Sequence, residues 1–375
     1  MTFIDIAMIM AEPKKSERGS VLLKFFDRYV GIPLVFILGL FTLFRNKSAP
    51  AQVKKIAILK TAAIGDTVLV TAIINDLKLF YPDVEIDFYS GASNFAFAKL
   101  IGQCRKVIQL PIKNFPKLFE ILKSEKYDLL LDFGAWPRIN SVCSFFIDAD
   151  YKVGFKTQDQ YRHFVYDKSV DHSNEIHELE NYRNIIRSIG IKTTSAPVIP
   201  EGEVPKNLMH NLQQPYIVCH LWPGGERSDL KEWTFENWKK IISFVQSKNY
   251  FVLLTGGKED LDKNSNFLNA TGVKAYNMAG TTVSETIGAL KNAKVVISVN
   301  TGIMHIAAGL NVPTVGLHGP TSVKRWGPVG RNVCSVISQL EGCQYLNLGF
   351  EYKPELQCME SISADDVIDA VKAIV

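Results

Sequence analysis

The feature that most constrains this chain is a strand–helix rhythm that runs once, halts at a proline-rich stretch, and starts again. Before the halt, KKIAILK (54–60) reads as a buried strand and DTVLVTAIINDLKLFYP (66–82) as a helix ending before Pro82. VEIDFYSG (84–91) and KVIQLP (106–111) are strand-like, KLFEILKSEKY (117–127) is helical, and YDLLLDFG (127–134) is a strand running into a loop. One more helix, ENYRNIIRSIGI (180–191), precedes TTSAPVIPEGEVPK (193–206), whose prolines mark a linker. The rhythm then resumes with strands QPYIVCHLW (214–222), YFVLLTGG (250–257), KVVISVNTG (294–302) and VPTVGLHGP (312–320). FENWKKIISFVQSKN (235–249) and SETIGALKNA (284–293) read as helices, the second opened by a capping-box spacing from Thr282 to Glu285. Such alternation argues for parallel sheets covered by helices on both faces. A chain of 375 residues also exceeds what one core usually organises. The expectation is an α/β fold of two doubly wound domains facing a cleft, over 51–200 and 205–345. A leader (1–50) and a tail with a last helix (346–375) complete the division.

Bulk properties narrow the function classes. A composition of 47% hydrophobic and 21% charged residues is that of a folded globular protein, and a net charge of +4 is too mild to argue for nucleic acid. Cys104, Cys143, Cys219, Cys334, Cys343 and Cys358 are scattered without a CxxC pair, which reads as ordinary thiols in a reducing cytoplasm. A metal site among the last three is conceivable, but four-ligand spacing is absent. The segment YVGIPLVFILGLFTLF (29–44) is apolar and uncharged, with Lys24, Arg28, Arg45 and Lys47 around it. Its 16 residues fall short of the roughly 20 that a spanning helix needs. It is expected to lie in a membrane interface, with a true span or a buried helix as alternatives. Unpaired cysteines then favour the body lying on the cytoplasmic side.

No GxGxxG or Walker A sequence is present, which disfavours a dinucleotide redox enzyme or a P-loop NTPase. Instead, glycine-bearing loops follow several strands, where open α/β sheets bind ligands. In VVISVNTGIMHIAAGL (295–310), Asn300, Thr301 and Gly302 open a helix whose N-terminus suits a diphosphate, and His305 follows on its first turn. A cap and a packed histidine explain the same residues. HLWPGGERSDLKEW (220–233) brings Gly224, Gly225 and Lys231, a cation fit to offset charge on a leaving diphosphate. LLTGGKED (253–260) offers Glu259 for ribose hydroxyls, and GLHGPTSVKRWGP adds the basic pair Lys324-Arg325. Arg138 and Arg162 could meet an anionic acceptor. In DHSNEIHELEN, His172 and His177 read as a solvated helix start more readily than as metal ligands. Asp66, after Gly65 in AIGDTVLV, is either a helix cap, a phosphate-loop residue or an active-site base.

Taken together, AIGDTVLVTAII, LDFGAWPR, HLWPGGERSDLKEW, LLTGGKED, VNTGIMHIAAGL and GLHGPTSVKRWGP resemble one family. They are similar to the glycosyltransferase family 9 proteins, the ADP-heptose:lipopolysaccharide heptosyltransferases and relatives, from about Lys54 to the C-terminus. The resemblance implies a GT-B architecture of two Rossmann-like domains, the first binding acceptor and the second nucleotide-sugar. It implies inverting, metal-independent transfer, no cofactor beyond an ADP-linked co-substrate, and a lipid-linked glycan acceptor at the cytoplasmic side of a bacterial inner membrane. Asp66 matches the family's general base, and Gly65 before it then reads as the residue that lets the chain turn while the acceptor approaches. Lys231 matches the phosphate-contacting lysine, and Thr301, Gly302 and His305 the donor loop. Where the family usually carries an acid, this chain has Asn300, which keeps hydrogen bonding but no charge. Two other classes fit the same frame: a nucleotide-sugar epimerase, and a sugar-nucleotide binding protein without catalysis.

Overall fold

The computed structural model describes residues 27–42, 47–205, 208, 214–225, 227–346 and 353–374. Two six-stranded, all-parallel sheets organise it. The first has the order β3-β2-β1-β4-β5-β6, built from β1 (Lys55–Lys60), β2 (Glu85–Ser90), β3 (Lys106–Gln109), β4 (Lys126–Asp132), β5 (Asp148–Lys156) and β6 (Lys168–Asp171). The second repeats that winding as β12-β11-β10-β7-β8-β9, from β7 (Tyr216–His220), β8 (Phe251–Thr255), β9 (Tyr276–Asn277), β10 (Val295–Val299), β11 (Thr314–His318) and β12 (Val333–Ile337). Each order reverses beside its first strand, leaving a crevice at the carboxyl ends of β1 and β4 and of β7 and β10. The central strands are buried along nearly their whole length, as sheets covered on both faces must be.

The helices that close these sheets are α1 (Gly31–Thr42), α2 (Ile64–Phe80), α3 (Phe95–Ala98), α4 (Phe115–Leu122), α5 (Arg138–Phe146) and α6 (Glu178–Arg187) in the first half. The second half has α7 (Phe235–Ser247), α8 (Leu261–Thr271), α9 (Val283–Lys291), α10 (Gly302–Gly309), α11 (Val323–Trp326) and α12 (Ala364–Ile374). The halves share a core: Val68 and Ile73 of α2 belong to one apolar cluster with Leu290 of α9 and with Ile306 and Ala307 of α10. The proline-rich linker runs extended across this seam. Asp76 of α2 accepts from the backbone of Thr194 and Ser195, Thr71 accepts from Val198 N, and Ser284 of α9 accepts from Glu203 N.

Two sequence expectations need correction. Only four strand-like segments were legible before the linker, whereas six strands form. The missed β5 opens on exposed Asp148 and Asp150 and buries Lys152, whose Nζ donates to the carbonyls of Ser144 and Phe145, so its pattern looks polar. The missed β6 is a short edge strand with little burial. The cysteines are not all thiols: Cys343 and Cys358 form a disulfide, their Cα atoms 5.8 Å apart. The tail returns over the second sheet, with Met359 against Gly319 and Leu346 paired to Thr321, which brings together two cysteines whose spacing carried no signal. That pairing removes the cysteine argument for a reducing compartment. Helix α1, within the segment expected in a membrane interface, packs Val35 and Leu38 on Val165 and Tyr166 and leaves Phe36, Ile37, Leu40 and Phe41 exposed. Residues 1–26 and 43–46 of the leader, and 347–352 of the tail, lie outside the described residues.

Candidate active site between two helix N-termini

At the carboxyl end of β1 the chain turns through Thr61, Ala62 and Ala63 into α2, placing Asp66 on that helix's first turn. Its Oδ1 accepts from Tyr182 OH at 2.5 Å and pairs with Lys60 Nζ at 2.8 Å. Its Oδ2 receives only a long contact from Ala63 N, at 3.3 Å. Lys60 Nζ also reaches Tyr182 OH at 2.8 Å and Phe133 O at 3.2 Å. The carboxylate is thus clamped by one oxygen and left with the other for a new proton. The side chain stays 19% exposed, so an acceptor can reach it. Asp66 thus caps α2 through Oδ2, while Lys60 and Tyr182 hold Oδ1.

Sequence reasoning missed Lys60 and Tyr182. A signal existed for Lys60: a lysine ending a strand as apolar as KIAILK must find a counter-charge, and Asp66 lies six residues on. Tyr182 sits on α6 and arrives only through tertiary packing. It is fully buried, and burial, then the neighbouring Asp66 and Glu178, raise its phenol well above the usual range. It therefore stays a hydrogen-bond donor to Asp66.

Facing Asp66 is the N-terminus of α10. A Cβ on Gly65 would lie 2.8 Å from the His305 ring, and one on Gly302 would lie 3.1 Å from Ile64 and 3.2 Å from Gly65 N. The two helix ends meet because neither glycine carries a side chain. Thr301 precedes α10 in extended conformation. Thr301 Oγ1, His305 Nδ1 and His318 Nε2 are buried without a hydrogen-bond partner among the described atoms. Asn300 Nδ2 donates to Thr321 Oγ1 at 3.0 Å and to His318 Nδ1 at 3.1 Å.

The other donor-side candidates line the same edge. Loops after β11, β10, β7 and β8 stand side by side, because those strands are neighbours in that order and all parallel. After β7, Gly225 takes a positive φ of 82° in open space, and Lys231 folds back so that its Nζ donates to Gly224 O at 2.9 Å. After β8, exposed Glu259 sits in a short 3-10 turn. The structure thus gathers Gly224, Gly225, Lys231, Glu259, Asn300, Thr301, Gly302 and His305 along one edge opposite Gly65 and Asp66.

It does not bring Arg138 and Arg162 there as free cations. Arg162 is fully buried under the first sheet, paired with Asp132 at 2.9 Å and donating to Ser141 and to the Gly134 carbonyl. Arg138 is held by Asp27 at 3.0 Å and by the carbonyls of Asp159 and Gln160. Both satisfy internal acids, which corrects their assignment to the acceptor. Arg325 likewise is no phosphate ligand: it crosses the seam to Glu178 at 3.1 Å and Asn174 at 3.0 Å, while Lys324 meets Glu175. His172 and His177 are not a solvated helix start. His172 Nε2 lies 3.1 Å from both Glu178 oxygens, and His177 Nδ1 caps α6 while its Nε2 donates to Gly327 O at 2.9 Å. Burial pushes the Glu178 carboxyl up, yet His172 and Arg325 outweigh it and bring it down to about 2.

Two measurements follow from this geometry. Arg162→Met leaves the Asp132 carboxylate buried without its cation and should cost about 3–5 kcal/mol in denaturant unfolding. An unchanged midpoint with a raised acceptor KM would restore the binding role instead. Burial lowers the imidazoles of His220 and His305 to about 4 and that of His318 to about 3. Unfolded histidines titrate near about 6.5, so this contribution to stability is full above that pH and is lost as pH falls toward the folded values. The unfolding midpoint should therefore drop between about pH 6.5 and about pH 4, and His318→Gln should flatten the drop. A flat profile in the parent protein would mean these rings are solvated.

Comparison with known proteins agrees with this layout. The family model Glycosyltransferase family 9 (heptosyltransferase) matches residues 115–347. Lipopolysaccharide heptosyltransferase 2 of Salmonella typhimurium is 21% identical over 347 residues, covering 85% of this chain and 98% of that protein. Among solved structures, the ADP-heptose lipopolysaccharide heptosyltransferase II of E. coli superposes with a TM-score of 0.68 at 19% identity, over 85% of this chain and 98% of that one. The E. coli heptosyltransferase WaaC with ADP gives 0.67 at 17%, over 86% of this chain and all (100%) of that one. Two facing doubly wound sheets with this coverage are the GT-B fold. With a family match over more than half its length, the chain belongs to glycosyltransferase family 9 and is a glycosyltransferase.

Proposed function

We propose that this protein transfers a heptose from an ADP-linked donor to a lipid-linked saccharide of the lipopolysaccharide type, with inversion and without a metal ion, at the cytoplasmic face of a bacterial inner membrane. The observation that carries the reading is the meeting of Asp66, on the first turn of α2, with the N-terminus of α10. The names of the relatives, heptosyltransferases acting on lipopolysaccharide, and the ADP held by a solved neighbour supply the donor and acceptor classes.

The chemistry follows from charge. An acceptor hydroxyl is a weak nucleophile at neutral pH, so Asp66 Oδ2 takes its proton as the oxygen attacks the anomeric carbon. The bond from that carbon to the diphosphate oxygen breaks on the opposite face, and the electron pair leaves with ADP. Attack opposite the leaving group inverts the anomeric centre. The negative charge that develops is met by the Lys231 ammonium and by the unpaired N–H groups opening α10. Lys60 and Tyr182 hold Asp66 by Oδ1, so Oδ2 faces the acceptor without a search through rotamers.

Asp66→Asn should lower kcat by roughly 10²–10⁴-fold while ADP affinity stays within a few-fold of the parent. Near-parental turnover would remove the base assignment. Lys231→Ala should slow turnover by on the order of 10²-fold and weaken ADP binding; unchanged kinetics would take it out of the site. A thermal-shift series over nucleoside diphosphates tests the donor class, with ADP expected to give the largest rise.

A further inference from the structure

Helix α1 is apolar on both sides and carries no charge in its 12 residues. One side enters the fold: Val35 and Leu38 are buried, and Gly39 lies on Phe164. On the other, Phe36, Ile37, Leu40 and Phe41 recur at helical spacing and are 43%, 54%, 59% and 64% exposed. A helix apolar all round belongs in a core or in lipid, and half of this one has no core to enter. A second helix, distant in sequence, extends the same face. In α4, Leu118 and Leu122 are buried while Phe115 and Phe119 are 59% and 37% exposed.

Phenylalanine rings connect the two. Phe41 meets Phe145 at 6.5 Å, Phe145 meets Phe146 at 5.2 Å, and Phe146 meets Phe119 at 4.7 Å. The resulting strip is edged by positive charge. Arg28 and Lys47 are exposed beyond the two ends of α1, and Lys113, Lys117 and Lys123 surround the α4 phenylalanines against one exposed acid, Glu120. Aromatic and aliphatic side chains rimmed by lysine and arginine match a boundary where acyl chains meet anionic headgroups. At about 1.5 Å per residue α1 is about 18 Å long, short of a hydrocarbon core about 30 Å thick. Among the described residues no helix is long and apolar enough to cross a membrane.

We propose that α1 and α4 form one membrane-docking face, seated along the surface of an anionic bilayer. The proposal rests on the lipid-linked acceptor reading above and says how the enzyme meets it. The strip starts beside the cleft: Gly31 packs on Arg138, which opens α5 directly after the β4 loop. Two residues further on, Asn140 accepts from Thr61 Oγ1, in the turn leading to Asp66. A bilayer against α1 therefore lies next to the acceptor edge of the site.

The test is sedimentation of the full-length protein with vesicles of phosphatidylcholine, with and without phosphatidylglycerol. Binding should rise with phosphatidylglycerol and fall with salt. Phe115→Ser/Phe119→Ser and Phe36→Ser/Phe41→Ser should each weaken it by roughly tenfold or more, and Lys113→Glu/Lys117→Glu should erase the phosphatidylglycerol dependence. The lysine variants should leave the unfolding midpoint unchanged, whereas Phe36, Phe41 and Phe119 also touch neighbouring rings, so binding of the serine variants is compared well below their own midpoints. Parental binding by the α4 variant would overturn the proposal. So would a solution dimer that the same substitutions split, since the face would then be a self-contact. Transfer to a water-soluble acceptor saccharide, read as ADP release, separates the two readings. Vesicle binding without transfer would remove the heptosyl reading and leave the face, whereas transfer without vesicle binding would do the reverse.

Discussion

The end-on meeting of α2 and α10 is the contact on which the rest of the molecule depends. Helix N-termini carry unpaired N–H groups and partial positive charge, so two of them facing one another repel unless something anionic lies between. Asp66 supplies part of that charge from one side. A diphosphate would supply the rest from the other. Gly65 and Gly302 allow the approach, and the apolar cluster shared by α2, α9 and α10 holds it. The contact is therefore at once the seam between the two sheets and the centre of the site.

A second, polar contact sets the relation of the two halves. Arg325 and Glu178 form a buried pair across the seam, with His172 on the same carboxylate and Asn174 on the guanidinium at the surface, and His177 makes a separate link by capping α6 and donating to Gly327. The same helix α6 carries Tyr182, which reaches Asp66. The position of Asp66 and the spacing of the two sheets are thus set by one helix. A buried ion pair of this kind contributes little net stability but is costly to break, which suits a joint that must keep one geometry.

Much of this was legible without coordinates, and the reasons are local. The buried strands before Gly65 and Asn300, the capping box from Thr282 to Glu285 and the proline-rich linker each depend on neighbours in sequence, and each forms as read. Charged residues misled in both directions. Lys152 made a real strand look like a loop, because its ammonium finds backbone carbonyls inside the fold. Arg162, Arg138 and Arg325 looked like ligands for an anion, and each is instead satisfied by an internal carboxylate. A cation's partner is set by what packs beside it, and no spacing in the sequence records that.

By itself, the sequence determined two doubly wound sheets, the glycine-bearing loops at their carboxyl ends, and Asp66 on the first turn of a helix. These follow from hydrophobic period and turn chemistry, which act over a few residues. Tertiary structure alone decided that Asp66 faces α10 and that Lys60 and Tyr182 take one of its oxygens. It also decided that Cys343 meets Cys358 and that α1 buries only one of its two apolar sides. Those outcomes join residues far apart in the chain, or, for Lys60 and α1, depend on what the rest of the fold leaves uncovered. Only the closed core fixes their distances.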